Sequence, residues 1–337
     1  MKKITLFLLG LISASIQTYA DTRAQALLLH NGQGKSFDAD QLQTAINEAV
    51  ASDTITLSEG AFLVTDTLVI DKDVCIIGAG ADVCKIGGNV KVAIDNDITL
   101  KRHLLDAVKI AGSINVTKSI RSLSIRKCWV SNFFQVINGA EARDVRIDRC
   151  YISRFCLLSP IKSATLTNTI LNTQGYHLNG DTFIEGYDIN FINCNIYSFD
   201  TYCDIAATYQ NCIIYGPSSN YPIKNNTFVK TLFSTRTGYK QLKSEAEASN
   251  GNIVHDCYWH NFTYSLKTQN DNFPEFGITT DDLATNGYLG TDGTIVGAYG
   301  GYTPYSLEPE GISIKESILR VDPETRKLNV TLKVATE

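Results

Sequence analysis

The chain of 337 residues lacks the short motifs by which many enzymes are recognised. It has no Gly-rich phosphate loop, no HExxH or GxSxG sequence and no CxxC pair. These absences argue against a nucleotide hydrolase of the P-loop type, a zinc protease, an α/β-hydrolase and a zinc ribbon. After residue 20 no stretch is long and apolar enough to span a bilayer, and the middle of the chain sustains no helical apolar period.

The sequence does contain a short phrase that occurs seven times between residues 125 and 259. The phrase is an apolar residue, two further residues, Cys or Thr, one residue and a second apolar residue. Its copies are Ile125–Cys128–Val130, Ile147–Cys150–Ile152, Leu166–Thr169–Leu171, Phe191–Cys194–Ile196, Tyr209–Cys212–Ile214, Lys224–Thr227–Val229 and Val254–Cys257–Trp259. The sixth is the weakest, because Lys224 stands at its first apolar place. Successive Cys/Thr positions lie 22, 19, 25, 18, 15 and 30 residues apart. A unit of this length must stack on its neighbours to bury its apolar face, which indicates a solenoid.

The residue before the Cys or Thr is polar in every copy, and in four of the seven it is Asn. Asn tolerates left-handed backbone and hydrogen-bonds nearby main chain, so it suits a corner between two strands. The two-residue hairpin signals that a β-sandwich needs are scarce. We therefore predict an all-β fold, a parallel β-solenoid in which the small Cys and Thr side chains of adjacent coils form one column.

Four N-terminal stretches carry a family resemblance: Leu42–Ile46, Asp53–Gly60, Leu68–Lys72 and Cys75–Gly80. They resemble the right-handed parallel β-helix class, the pectate-lyase-like superfamily, in a form common among secreted proteins of anaerobic Gram-negative bacteria. The resemblance covers about residues 25–300 and implies that a helix at about residues 40–51 plugs the first coil. It implies no particular activity, because the superfamily contains lyases, hydrolases, isomerases and non-catalytic binders.

The two ends of the chain are predicted to differ from the middle. Residues 1–20 have a basic start, an apolar run and a cleavage site near Ala20, which is typical of a signal peptide. We therefore expect a secreted protein, in the periplasm or at the cell surface, with a β-helix over 21–300 and capping strands over 301–337. Ile312–Leu319 and Lys327–Val334 predict a hairpin over the last coil, and the Gly/Tyr segment around Tyr299–Tyr305 predicts structural packing. We expect a monomer without a transmembrane segment.

Nine cysteines in an exported chain would ordinarily suggest disulfides. Coils stack about 4.8 Å apart, however, which is slightly wide for a relaxed disulfide between neighbours. Five of the nine fall on the inward position of the phrase and are predicted to be buried, reduced thiols: Cys128, Cys150, Cys194, Cys212 and Cys257. No CxxC pair or His cluster accompanies them, so we predict neither a metal nor a cofactor.

Charge is distributed unevenly along the chain. The net charge of −5 becomes −7 once the two lysines of the signal are removed, yet residues 85–162 hold 14 Lys/Arg against 6 Asp/Glu. We call residues 85–162 the basic band. Arg121 and Arg143 lie one period apart in it. Six of its side chains are candidate ligand contacts, of which we expect the first three to point outward: Arg126, Lys127, Arg149, Tyr151, Arg154 and Lys162.

Two interpretations of the basic band stay open. It is either a groove for an acidic polysaccharide, since Arg forks bind carboxylates and sulfates, or a solvated surface on which Lys and Arg neutralise nearby Asp. Nucleic acid does not suit an exported, net acidic protein. We favour a non-catalytic β-helix that binds glycans or serves as a surface-associated structural protein, because its ionisable residues form no constellation and no catalytic residue is predicted. The alternative is a lyase or hydrolase of an acidic polysaccharide, in which a cation neutralises the uronate and a base removes the C5 proton.

Overall fold

The computed structural model describes residues 24–95, 102–137, 139–156, 161–174, 188–197, 207–215, 225–234, 251–262, 264–265, 275–308, 312–321 and 328–336. The predicted signal peptide lies outside these ranges. Within them the parallel strands stack coil upon coil in two large sheets, so the fold is the predicted parallel β-helix.

The first sheet has twelve strands, one face of every coil. Its N-terminal edge is an antiparallel pair, Gln25–His30 and Gln33–Asp38, that the sequence did not predict. Ten parallel strands follow: Thr54–Leu57, Cys75–Gly78, Leu105–Asp106, Leu123–Arg126, Val145–Asp148, Ser163–Thr167, Asp188–Ile192, Ala207–Gln210, Thr227–Val229 and Ile253–His255. Alternate side chains point into the coil, and those of Leu123 and Ile125 are fully buried.

The second sheet has thirteen parallel strands and forms the opposing wall. They are Gly60–Phe62, Thr67–Ile70, Cys84–Ile86, Asn89–Val92, Lys109–Ile110, Ile114–Val116, Trp129–Val136, Tyr151–Cys156, Ile170–Gln174, Asn195–Ile196, Ile213–Ile214, Leu232–Ser234 and Tyr258–His260. The apolar side chains of both sheets meet in one continuous core that runs the length of the stack.

A short helix covers the first coil. A 3₁₀ turn, Ala39–Gln41, leads into the α-helix Leu42–Glu48, whose buried side chains include Leu42, Ala45 and Ile46. The helix is shorter than the predicted 40–51 because Ala49 is already extended and the Asp53 carboxylate accepts a hydrogen bond from the Val50 amide.

Three elements follow the last coil. They are the two-residue strand pair Tyr264–Ser265 and Glu275–Phe276, the helix Thr280–Thr285, and the antiparallel hairpin Ile312–Val321 and Leu328–Thr336. The hairpin confirms the predicted pair of strands at the C-terminus. Its placement over the last coil stays a prediction.

Strand register places the inward Cys and Thr residues in a single column, as predicted. The column consists of Cys84, Val108, Cys128, Cys150, Thr169, Cys194, Cys212, Thr231 and Cys257. From Val108 onward, the residue before each member has a left-handed backbone, with φ between 46° and 57°. This is the corner that the Asn-rich pattern indicates.

The sixth copy of the phrase was assigned to the wrong residues. Phe228 lies opposite Tyr209 and Leu232 lies opposite Ile213, so the column position is Thr231 rather than Thr227. The spacings on either side become 19 and 26 residues, counted from Cys212 and to Cys257. Thr227 belongs to a strand of the first sheet.

Seven of the nine column residues, those from Cys128 onward, donate a hydrogen bond to the main-chain carbonyl two residues earlier. Cys128 Sγ donates to the carbonyl of Arg126 at 3.1 Å, and Thr169 Oγ1 donates to the carbonyl of Thr167 at 2.8 Å. Both carbonyls also accept a main-chain amide, and the column atoms accept in turn: Cys150 Sγ from the Cys128 amide at 3.4 Å, and Thr169 Oγ1 from the Cys150 amide at 3.2 Å. A buried amide without an acceptor is costly, so a thiol or hydroxyl in this column stabilises the stack. The five predicted thiols are buried and unbridged, and burial raises the pKa of Cys150 well above its ordinary value.

Candidate functional site

The six candidate residues of the basic band do not meet at one site. Arg126 lies on the outer face of the first sheet, and Lys162 lies where a strand of that sheet begins. Lys127 and Arg149 lie at the corner, and Tyr151 and Arg154 lie on the outer face of the second sheet.

Two of the arginines are neutralised by carboxylates of the stack. Arg126 Nε lies 3.2 Å from both oxygens of Asp106, whose side chain is only 8% exposed. Arg149 Nε donates to Asp148 at 2.8 Å. These contacts agree with the interpretation in which cations and nearby carboxylates neutralise each other.

A segment from the C-terminal part of the chain covers the corners. Residues 288–308, which we call the strap, run from the last coil back towards the middle of the stack. Asn211 Oδ1 accepts from the Thr291 amide at 2.9 Å, and Lys127 Nζ donates to the Glu308 carbonyl at 2.6 Å. The strap therefore bridges corners that are far apart in the stack.

The strap explains why two cations of the basic band are not exposed. Lys127 and Arg149 were expected to point outward, and Lys127 does so towards the strap, but the two residues are only 4% and 9% exposed. Tyr305 of the strap packs in the same apolar cluster as Tyr151, which confirms a structural role for the Gly/Tyr segment. Corner cations under the strap are not available to a polysaccharide.

Tyr151 and Arg154 lie on the second sheet, so they do not form a catalytic pair with the candidate residues of the first sheet. Tyr151 stacks on Trp129 with 4.3 Å between ring centroids, and burial raises its pKa. A base must be deprotonated to accept a proton, so this shift disfavours Tyr151 in that role. Arg154 is exposed and lies over the Phe133 ring at 5.0 Å.

Three cations lie in a row on successive coils, just before the strand that each coil contributes to the first sheet. Bridges from Ile120 to Ala142 and from Ala142 to Ile161 set the register. The next residues along each coil are therefore neighbours, about 4.8 Å apart per coil. We call these residues, Arg121, Arg143 and Lys162, the cationic row.

Two members of the cationic row, Arg121 and Arg143, line a surface cleft of about 360 Å³. Its lining residues are Ser119, Ile120, Arg121, Glu141 and Arg143. Arg143 Nε contacts Glu141 at 2.6 Å, while Arg121 is exposed and has no carboxylate within ion-pair distance among the described residues. The cleft thus offers a positively charged edge with hydroxyl and carboxylate groups beside it.

His103, just before a strand of the first sheet, has a lowered pKa. His103 Nδ1 is hydrogen-bonded to Ser124 Oγ at 2.7 Å. Burial lowers the pKa of His103, and the charge of Arg126 lowers it further, so the imidazole is neutral at neutral pH. In the part of the chain that the structure describes, no third group orients this ring, so the pair is not a Ser-His-acid triad.

Neither a metal centre nor a membrane helix is found in the described ranges. There, no group of three or more His, Cys, Asp or Glu side chains is arranged to hold a metal ion. No helix in those ranges has the length and apolar composition needed to cross a bilayer.

Comparison with known proteins gives no assignment. No protein-family model matches the chain, and no curated protein sequence matches it either.

Proposed function

We propose that this protein is an exported, non-catalytic β-helix that binds an acidic polysaccharide along the cationic row. The observation that carries the proposal is the register of Arg121, Arg143 and Lys162 on three successive coils, with the two arginines lining a cleft. The coil repeat of about 4.8 Å is close to the length of one sugar in a chain. An extended polysaccharide with an anionic group on each sugar can therefore meet one cation per coil.

The charge type of the row supports an acidic ligand. Two of its members are arginines, whose planar forks form two-pronged hydrogen bonds with carboxylates. The row is exposed or half-buried, in contrast to the corner cations beneath the strap. Export is supported by the signal-like residues 1–20, and the family resemblance supports a glycan as the ligand.

The residues first considered for a lyase do not support that alternative. Arg126 and Arg149 are largely buried against carboxylates, unlike the exposed Arg143 beside Glu141. Tyr151 is buried, and Arg154 lies on the other sheet from Lys162. Turnover of an acidic polysaccharide, measured at the absorbance of unsaturated uronates, would nevertheless replace the binding proposal with the enzymatic one.

The test is a triple substitution of the row, Arg121→Ser, Arg143→Ser and Lys162→Ser, in the mature protein. Affinity for a polyuronate should fall about tenfold or more, since three charge-assisted contacts are lost. The matched control replaces three other exposed lysines by Ser, at Lys35, Lys91 and Lys118. It removes the same charge and should leave most of the affinity.

Equal losses in the two triple variants would refute a localised site and leave only overall charge. Substituting Arg126, Lys127 and Arg149 instead is not a clean test, because each is largely buried and its loss would disturb the stack.

A further inference from the structure

The second sheet carries a pair of lysines that the proposed function does not use. Lys85 and Lys109 lie directly opposite each other on adjacent parallel strands. Both side chains point away from the core, Lys85 exposed and Lys109 half-buried. Like charges in direct register repel each other, so this arrangement costs stability unless an anion joins them.

Neither lysine is neutralised by a neighbouring acid in the part of the chain that the structure describes. Among the described residues, neither ammonium group has a carboxylate within ion-pair distance. This differs from the basic band elsewhere, where Arg126, Arg143 and Arg149 each contact an acid. The lysine pair is thus a local surplus of two positive charges.

The position of Lys109 is fixed by an aromatic stack. Its Nζ lies 4.7 Å from the ring centroid of Trp129, which occupies the matching position on the next coil. The other neighbour of Trp129 is Tyr151, stacked at 4.3 Å. Lys109 therefore leans away from Lys85 and onto the indole, a contact that offsets part of its desolvation. Burial lowers the pKa of Lys109, and Lys85 lowers it further.

We propose that Lys85 and Lys109 form a binding site for a phosphate monoester on the second sheet. Two ammonium groups are compact point charges with freely turning donors, which suits a tetrahedral oxyanion better than the planar carboxylate that arginine forks match. A phosphate monoester carries close to two negative charges above its second pKa of about 6, and so balances the pair. Sulfate esters and carboxylates carry a single charge and leave one lysine unmatched.

Binding should change the environment of Trp129. A phosphate seated between the lysines draws Nζ of Lys109 away from the indole and towards Lys85. The chain has two tryptophans, so Trp259→Phe leaves Trp129 as the only indole and its emission as a direct signal. Calorimetry on the unsubstituted mature protein gives a second measurement that does not depend on the substitution.

The experiment titrates the mature protein with a hexose phosphate, the corresponding hexose sulfate, a hexuronate and the neutral hexose. We expect the phosphate to bind most tightly and to alter Trp129 emission, and the neutral hexose to do neither. Lys85→Ser and Lys109→Ser should each weaken phosphate binding by about tenfold or more, the usual size of a lost charge-assisted contact. The control is Lys91→Ser, an exposed lysine on a neighbouring strand of the same coil, which should bind like the unsubstituted protein.

Three results would overturn the proposal. They are the absence of heat and emission change with the phosphate, equal affinity for the sulfate or uronate, and an equal loss in the Lys91 control. The uronate comparison is taken from Trp129 emission, because a uronate can also bind the cationic row. The other two outcomes do not involve the row, whose substitutions leave Lys85 and Lys109 intact.

Discussion

Replacing Asn168 by Ala should destabilise the protein by about 3 kcal/mol, although Asn168 lies far from any chain terminus and carries no charge. Its buried amide donates to the carbonyls of Ala298 and Gly300 at 3.0 and 2.7 Å. Each lost hydrogen bond costs about 1 kcal/mol. The residue also has φ of 46°, a left-handed conformation that costs Ala roughly 1 kcal/mol more than Asn.

Two further variants separate these contributions. Asn168→Gly loses the same hydrogen bonds, but Gly adopts the left-handed backbone without strain. Its loss of stability should therefore be smaller than that of Asn168→Ala by roughly 0.5–1 kcal/mol. Asn190→Ala is the matched control: this residue lies on the outer face of the first sheet, where its amide donates to Asp188 at 2.6 Å in an exposed position. The control should change stability by no more than about 0.5 kcal/mol.

Urea unfolding of the mature protein measures the change in free energy, and amide hydrogen exchange shows where it acts. Exchange in Asn168→Ala should accelerate first at Ala298 and Gly301, whose amides donate to Asn195 Oδ1 and Thr294 Oγ1. A loss no larger than that of Asn190→Ala would refute the account of the strap. So would unchanged exchange in the strap despite a global loss of stability.

Two other predictions concern the stack itself. The pKa of His103 is lowered in the folded state, so the unfolded chain binds a proton at this imidazole more readily, and the free energy of unfolding should fall as pH drops below about 6.5. His103→Gln should flatten that part of the pH profile of stability. An unchanged slope would contradict the role given to His103. Cys150→Val removes the acceptor of the Cys128 amide, which donates to Cys150 Sγ at 3.4 Å, and should cost about 1 kcal/mol in urea unfolding. Cys150→Thr should retain most of the stability, because Thr169 Oγ1 accepts from the Cys150 amide in the same way in the next coil. Equal losses in the two variants would show that the column needs only small volume.

The sequence predicts the stack well because each coil repeats the same local requirement. A polar left-handed residue followed by a small donor defines the corner, and the predicted members at Cys128 to Cys212 lie in one column. The prediction failed at the sixth copy, where Lys224 stands at the first apolar place of the chosen phrase. Phe228–Thr231–Phe233 fits the phrase fully, with polar Lys230 before the Thr, and the pairing of Phe228 with Tyr209 confirms it. The error was therefore avoidable from the sequence.

The candidate site was predicted less well because its exposure depends on a distant segment. Glu308 contacts Lys127 across 181 residues of sequence, and no local pattern at Lys127 announces that cover. A sign of close packing was present in the Gly/Tyr segment: a Cβ on Gly301, whose φ is +75°, would lie 2.2 Å from Asn193 Nδ2. Glycine at this point lets the strap approach the corner.

The cationic row, in contrast, was within reach of the sequence. Its members Arg121, Arg143 and Lys162 are separated by 22 and 19 residues. These are the spacings of Cys128, Cys150 and Thr169, so equal offsets from the column place the three cations in register. The spacing of 22 residues alone identifies Arg121 and Arg143, and the spacing of 19 residues is needed to add Lys162.

The most direct test of the proposed function is a titration of the mature protein with dextran and with carboxymethyl dextran, which share a backbone and differ in charge. The account predicts binding of the carboxymethylated polymer only. That binding should weaken steeply as salt is raised, because the screening length falls from about 10 Å at 0.1 M to about 3 Å at 1 M. Equal binding of the two polymers, or binding of neither, would contradict the claim that the cationic row takes an acidic polysaccharide.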